Sequence, residues 1–110
     1  KNDVSRWGIF KLSKKNDKNN SQIIDVIEKP SKKNAPSNQA VIGRYILPKT
    51  IFDEIKKLNP GKGNEIHITD AIRSLLKKKN KFIAHRFKGQ YLDCGTMSGY
   101  INSSKEISKL

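Results

Sequence analysis

An α/β fold with a mixed sheet follows from three features of the sequence. Short β-branched runs alternate with stripes of apolar residues at helical spacing. Polar connections rich in Lys, Asn, Ser, Gly and Pro separate them. Strands and helices interleave along one chain of 110 residues, the order expected when helices cover a sheet.

Residues 6–12 have strand character, and residues 13–21 form a polar insert of Lys, Asn and Asp that reads as an exposed hairpin loop or disorder. A second strand covers 22–28. Its apolar part, 23–27, ends with Glu28 and Lys29 side by side before Pro30 fixes a turn. Adjacent residues on an extended chain point to opposite faces, so Glu28 and Lys29 serve one ligand only where the strand ends and the backbone turns. After the polar connection 31–38, residues 39–47 are apolar and β-branched and predict a buried strand. Pro48 opens a helix through about residue 58, with Ile51, Phe52, Ile55 and Leu58 on one face and Asp53 and Glu54 in the first turn. Asn59-Pro60-Gly61 stops it. A further helix covers 69–79, with Thr69 as its cap and Ile72, Leu75 and Leu76 turned inward. Residues 81–87 alternate as a strand, Lys88-Gly89 is a turn, and 90–92 is a short strand ending at Asp93. A terminal helix from Thr96 carries Met97, Tyr100, Ile101 and Ile107.

Composition narrows the function classes. Lys and Arg total 23 against 10 acids, a formal charge of +13, and arginine supplies only Arg6, Arg44, Arg73 and Arg86. The lysines are spread in pairs such as Lys32-Lys33 and Lys56-Lys57 and the triplet Lys77-Lys78-Lys79, the pattern of a solvated surface. Summed charge of this size binds any polyanion without specificity, and a nucleotide is as good an anion as a nucleic acid. With 7% aromatic residues, mostly at core-like positions, the chain offers little for base stacking, so no specific nucleic-acid partner is expected. The single cysteine, Cys94, excludes an intrachain disulfide framework and fits a reducing cytoplasm. No apolar run reaches the roughly 18 residues of a membrane span. His67, His85 and Cys94 lack partner spacing for zinc or for a nucleophile and its base. A hydrophobic content of 35% is low for a self-sufficient core, so independent stability is doubtful.

Five segments in order carry a family resemblance. They are Ser5-Arg6-Trp7-Gly8-Ile9, Val26-Ile27-Glu28-Lys29-Pro30, Ala35-Pro36-Ser37-Asn38 leading through Val41-Ile42-Gly43-Arg44-Tyr45, Pro60-Gly61-Lys62-Gly63-Asn64-Glu65-Ile66-His67-Ile68-Thr69-Asp70-Ala71-Ile72, and Leu92-Asp93-Cys94-Gly95. Together they resemble bacterial UTP:glucose-1-phosphate uridylyltransferases, with Trp7 where that family usually has tyrosine. The resemblance extends over the whole chain. It implies the C-terminal part of a Rossmann-like nucleotidyltransferase fold, residues 1–110 forming the sugar-phosphate- and metal-binding part. The family's N-terminal nucleotide-binding half, with its G-x-G-T-R-type loop, has no counterpart in this sequence. The chain starts at Lys1, without methionine or a targeting segment.

The resemblance also implies chemistry. A glucose-1-phosphate oxygen attacks the α-phosphorus of UTP in line, pyrophosphate leaves, and UDP-glucose forms with Mg²⁺ bridging the phosphates. Such a reaction needs positioning and charge neutralisation more than covalent help. By resemblance Glu28 accepts sugar hydroxyls, Lys29 meets phosphate, the Gly8 N–H touches the sugar, and Val41 and Tyr45 line its pocket. Asp93 is the second of two aspartates on Mg²⁺, a cation that takes few carboxylates and keeps phosphate and water ligands. Taken alone, the same residues have plainer readings: Asp93 a turn former, Glu28 and Lys29 a surface charge pair, Gly8 a bend, Val41 and Tyr45 core, and Glu65 and Asp70 partners of a helix dipole. Arg44 serves equally as a phosphate ligand or a salt-bridge partner. The expected partners are UTP, glucose-1-phosphate, a missing half or complementary chain, and a homo-oligomer built partly on the last helix. The alternatives are a catalytically inactive fragment with open sheet edges, or a basic nucleic-acid-binding module.

Overall fold

The computed structural model of the chain describes residues 3–110, apart from the side chains at positions 15 and 16. Strand β1 (Gly8–Asn16) pairs antiparallel with β2 (Asn20–Glu28), and β3 (Ile83–His85) pairs antiparallel with the other edge of β2, giving the order β1-β2-β3. Three helices follow the hairpin or the last strand: α1 (Ile51–Lys57), α2 (Ile68–Lys77) and α3 (Met97–Ile107). The α/β class holds. The mixed sheet does not, because every strand pairing among the described residues is antiparallel.

Two departures from the sequence expectation explain that sheet. The polar stretch 13–21 is not a loose loop: both strands run into it, and Asp17 closes the turn by accepting from the N–H groups of Asn19 and Asn20 at 3.0 and 2.6 Å. Strands joined so tightly can only be antiparallel. Residues 39–47, expected as a buried strand, meet the sheet backbone at one bridge, Ile9 to Ala40, flanked by Phe10 N–H to Gln39 O at 3.0 Å and Val41 N–H to Gly8 O at 2.8 Å. Beyond Val41 they leave the sheet, and Ile46 is 99% exposed.

The hairpin register carries a bulge that sets which side chains face inward. Lys11 pairs with Asp25 but Leu12 pairs with Ile23, so Ile24 has no partner in the ladder. One extra residue shifts the two-residue alternation, and Ile23 and Val26, three apart, are therefore both buried while Ile24 faces out. Val26 meets Val41, Ile51, Ala71, Ile72 and Leu75 in the core, with Phe10, Leu47 and Phe82 packed around it. Helix α2 covers this face of the sheet, α1 packs on α2, and fully burying a side chain such as Leu75 contributes about 1.5–3 kcal/mol.

Helix α1 buries a different residue from the one its apolar stripe indicated. Phe52 is 62% exposed, whereas Glu54 is buried and accepts from Ser74 Oγ and Lys78 Nζ, each at 2.5 Å. Those two bonds hold its carboxyl down to about 2 and clip α1 to α2. Thr69 is not the cap of α2 either. The helix begins one residue earlier, after His67, which frees the Thr69 hydroxyl for another partner. Residues 90–92, expected as a strand, are irregular, and the terminal helix α3 is capped by Thr96, whose hydroxyl accepts from Gly99 N–H at 3.0 Å.

Candidate functional site

The end of β2 builds the site. Gly8 of β1 lies opposite Glu28, and Lys29 N–H donates to Trp7 O at 2.9 Å, so the chain turns out of the sheet beside the start of β1. Lys29 adopts φ 43°, a left-handed conformation that costs a residue with a Cβ about 1–2 kcal/mol. Pro30 follows, buried. The Glu28 side chain is thereby aimed under α2, where the Thr69 hydroxyl donates to its Oε2 at 2.6 Å.

Gly8 is required here by close approach rather than by its φ. A Cβ at this position would stand 2.9 Å from Thr69 Cγ2, 3.0 Å from Glu28 Oε2 and 3.2 Å from Val41 Cγ2. The bare backbone leaves a hollow of about 180 Å³ whose walls include Gly8, Glu28, Val41, Tyr45, His67 and Thr69. Four of the six residues singled out in the sequence therefore share one cavity. The Glu28 carboxylate and burial together push the Tyr45 phenol above its ordinary pKa, burial being the larger cause. Lys29 is outside the wall, with its Nζ 3.7 Å from Glu65 Oε2. Arg44 lines a separate apolar hollow with Phe10, Ile72 and Phe82.

Asp93 stands in a neighbouring hollow of about 330 Å³ between the 90–93 segment and α3. Arg6 belongs to the walls of both hollows and joins them. Its Nη2 donates to Asp93 Oδ2 at 2.7 Å across 87 positions of sequence, and its guanidinium lies 5.4 Å from the Trp7 ring centroid. Trp7 in turn meets Tyr91 edge to face, with centroids 5.1 Å apart. Burial, then Asp93, raises the Tyr91 pKa. Gly95 N–H holds the other carboxylate oxygen of Asp93 at 3.0 Å, and Gly99 brings the first turn of α3 so close to the Asp93 carbonyl that a Cβ there would collide with it.

The donor chemistry at Asp93 fits a divalent cation that draws most of its ligands from phosphate and water. Among the described residues no cluster of three His, Cys, Asp or Glu side chains could hold a metal. Asp93 would supply one carboxylate, held by Gly95 N–H, and Arg6 would have to yield or share its Oδ2 for a cation to bind.

Sequence reasoning missed three contributors. In the sequence His67 has no metal-partner spacing, Thr69 reads as a helix cap, and Arg6 stands out only as part of its motif. Each acts through a contact distant in sequence: 39 positions separate His67 from Glu28, 41 separate Thr69 from Glu28, and 87 separate Arg6 from Asp93. The one local signal was the placement of His67 and Thr69 around the start of an amphipathic helix.

Helices packed on an antiparallel sheet, with Arg6 joining the hollow at the end of β2 to the one beside Asp93, define an α/β domain with one continuous candidate site. The chain belongs to the nucleotidyl transferase family, whose model matches residues 1–109. It is 52% identical over 85 residues to a UTP–glucose-1-phosphate uridylyltransferase of Pseudomonas aeruginosa, covering 76% of this chain and 29% of that protein. A UTP–glucose-1-phosphate uridylyltransferase 2 of Streptococcus pyogenes serotype M3 is 41% identical over 106 residues, covering 96% of this chain and 35% of that protein. Among solved structures, a UDP-glucose pyrophosphorylase complexed with UDP-glucose superposes with a TM-score of 0.89 at 44% identity, covering 97% of this chain and 40% of that one. A UTP-bound UGPase from Acinetobacter baumannii superposes with a TM-score of 0.74 at 31% identity, covering 96% and 35%. The chain thus spans about a third of the length of the curated relatives it matches.

Proposed function

We propose that the chain is the sugar-phosphate and second-metal-ligand part of a UTP:glucose-1-phosphate uridylyltransferase, corresponding to the C-terminal portion of the catalytic domain. In the complete enzyme a glucose-1-phosphate oxygen displaces pyrophosphate from the α-phosphorus of UTP. The observation that carries this reading is the convergence of Gly8, Glu28, Val41 and Tyr45 on one hollow, with Glu28 fixed by Thr69. Glu28 accepts sugar hydroxyls, the Gly8 backbone and the Val41 and Tyr45 side chains shape the sugar's berth, and Lys29 turns its ammonium from Glu65 to phosphate. Asp93 contributes one carboxylate to a divalent cation, Mg²⁺, which neutralises phosphate charge when bound. The glycine-rich loop that grips the triphosphate is supplied by the remaining two thirds of the enzyme.

Cytoplasmic placement is part of the same proposal, in keeping with an exposed free cysteine, Cys94; none of the described helices is long and apolar enough to cross a membrane. Assembly with a further copy through the exposed Met97, Tyr100, Ile101 and Ile107 of α3 also belongs to it.

The test is pyrophosphate release from UTP and glucose-1-phosphate with Mg²⁺, using the chain alone and mixed with the separately expressed N-terminal half of a relative. Activity only in the mixture, and its loss in Asp93→Asn, is expected. A folded chain that stays silent in both would replace this reading by that of an inactive fragment, and activity of the chain alone would refute the claim that the triphosphate loop lies elsewhere.

A further inference from the structure

His67 stands in the wall of the Glu28 hollow with its ring nitrogens distinguished by their partners. Its Nε2 is 2.8 Å from the Lys62 carbonyl, and a carbonyl only accepts, so Nε2 carries the proton. In the neutral ring Nδ1 is then a bare lone pair. It faces Glu28 Oε1 at 3.7 Å, and the two side chains are only 13% and 12% exposed. Thr69 already occupies Oε2, which leaves Oε1 turned toward the ring. Two acceptors thus point at one another with no hydrogen between them, too far apart to bond and too close to be content without a donor.

We propose that His67 Nδ1 and Glu28 Oε1 form an acceptor pair that takes two neighbouring hydroxyls of the pyranose, and that protonation of His67 closes the pair and expels the sugar. The inference rests on the uridylyltransferase reading, which puts a sugar in this hollow. A hydroxyl donates to an acceptor at about 2.8 Å, so each of two adjacent ring hydroxyls reaches one member of the pair. A hexose lacking one of them leaves a buried acceptor unmet, which is the stronger form of discrimination. Once Nδ1 gains a proton it becomes a donor aimed at Oε1, and both acceptors are consumed internally.

The charged groups around the ring set the balance. Glu28 faces Nδ1 and Glu65 lies 3.7 Å from Nε2, both favouring the cation. Lys29 shares Glu65, and Arg6 lies in the wall of the same hollow, both opposing it. Tyr45 stays a neutral phenol throughout the range in which an imidazole titrates. Protonation removes Nδ1 as an acceptor, so apparent affinity falls in proportion to the fraction of rings left neutral.

The experiment is calorimetric titration of the full 110-residue chain with glucose-1-phosphate at pH 7.5 and 5.5, in the unsubstituted chain, His67→Gln and Glu28→Gln, together with ¹⁵N NMR of the imidazole. The phosphate of the ligand itself titrates near 6, so the quantity read is the excess pH dependence of the unsubstituted chain over His67→Gln. A weaker affinity at pH 5.5 than at pH 7.5 beyond that of His67→Gln, with the Nε2–H tautomer at pH 8, is expected. Equal pH dependence in both chains, or an Nδ1–H tautomer, overturns the proposal and needs no variant in the second case. Binding that is lost in Glu28→Gln but indifferent to His67→Gln overturns the acceptor pair alone. Failure of the unsubstituted, folded chain to bind glucose-1-phosphate at all overturns the sugar site as well.

Discussion

Replacing Gly8 by alanine tests the packing on which the hollow beside Glu28 depends. In an unstrained strand position the change would stabilise by about 0.4–1 kcal/mol, because the unfolded chain loses freedom. Here the new Cβ meets Thr69 Cγ2 at 2.9 Å, Glu28 Oε2 at 3.0 Å and Val41 Cγ2 at 3.2 Å. None of these is the free end of a flexible surface chain: Thr69 and Val41 are buried, and Glu28 Oε2 is held by the Thr69 hydroxyl at 2.6 Å. Overpacking of this kind costs about 1–3 kcal/mol. Displacing Thr69 also weakens a hydrogen bond to a charged group, a class of bond that contributes about 1.5–3 kcal/mol. The expected net loss is about 2 kcal/mol, which corresponds to a fall of roughly 10 °C in Tm for a domain of this size. Urea unfolding followed by the fluorescence of Trp7, the chain's single tryptophan, measures it. A Gly8→Ala chain as stable as the original, or more so, would show that the approach of β1 to α2 is not tight and would refute the reasoning.

Two further outcomes are expected from the charges. Glu54 has a folded-state value of about 2 against an ordinary 4.5, so its bonds to Lys78 and Ser74 stabilise the fold above about pH 4.5, and that contribution is lost as pH falls from 4.5 toward 2. Glu54→Gln should flatten this part of the acid-unfolding curve measured by circular dichroism, and an unchanged curve would assign the acid limb to other carboxylates. The Arg6–Asp93 pair is partly exposed, with side chains 47% and 27% accessible, and an ion pair of that kind contributes about 1 kcal/mol or less. Thermal melts of Asp93→Asn should therefore move by only a few degrees, and a loss well above 2 kcal/mol would make Asp93 a structural residue first.

The sequence revealed the fold where local chemistry and tertiary structure agree. Pro30 after an apolar run marks the end of β2, and Ile72 and Leu75 at helical spacing mark the buried face of α2. It misled where one side of an element has no cover within the chain. Residues 39–47 are as β-branched as a core strand, yet beyond Val41 they have no strand beside them, so propensity had nothing to act on. Phe52 fits the apolar stripe of α1, but two polar groups on α2 recruit Glu54 instead. The polar hairpin tip was legible as a turn but not as paired strands, since alternation cannot register where neither face is buried.

The site divides the same way. Gly8, Glu28, Val41 and Tyr45 were reachable through motif order, and the structure brings them to one hollow. Thr69, His67 and Arg6 were not, because their roles exist only after distant segments meet. No window of sequence contains both a Thr69 hydroxyl and the carboxylate it fixes.

The left-handed backbone at Lys29 has a consequence for evolution of the chain. Glycine would sit at φ 43° without steric cost, so this position holds a standing opportunity for relief that the sequence does not take. If the proposed role of the Lys29 ammonium is what keeps a lysine here, a copy released from catalysis should drift toward glycine at this position, as it should at Lys79, whose φ of 65° carries the same cost.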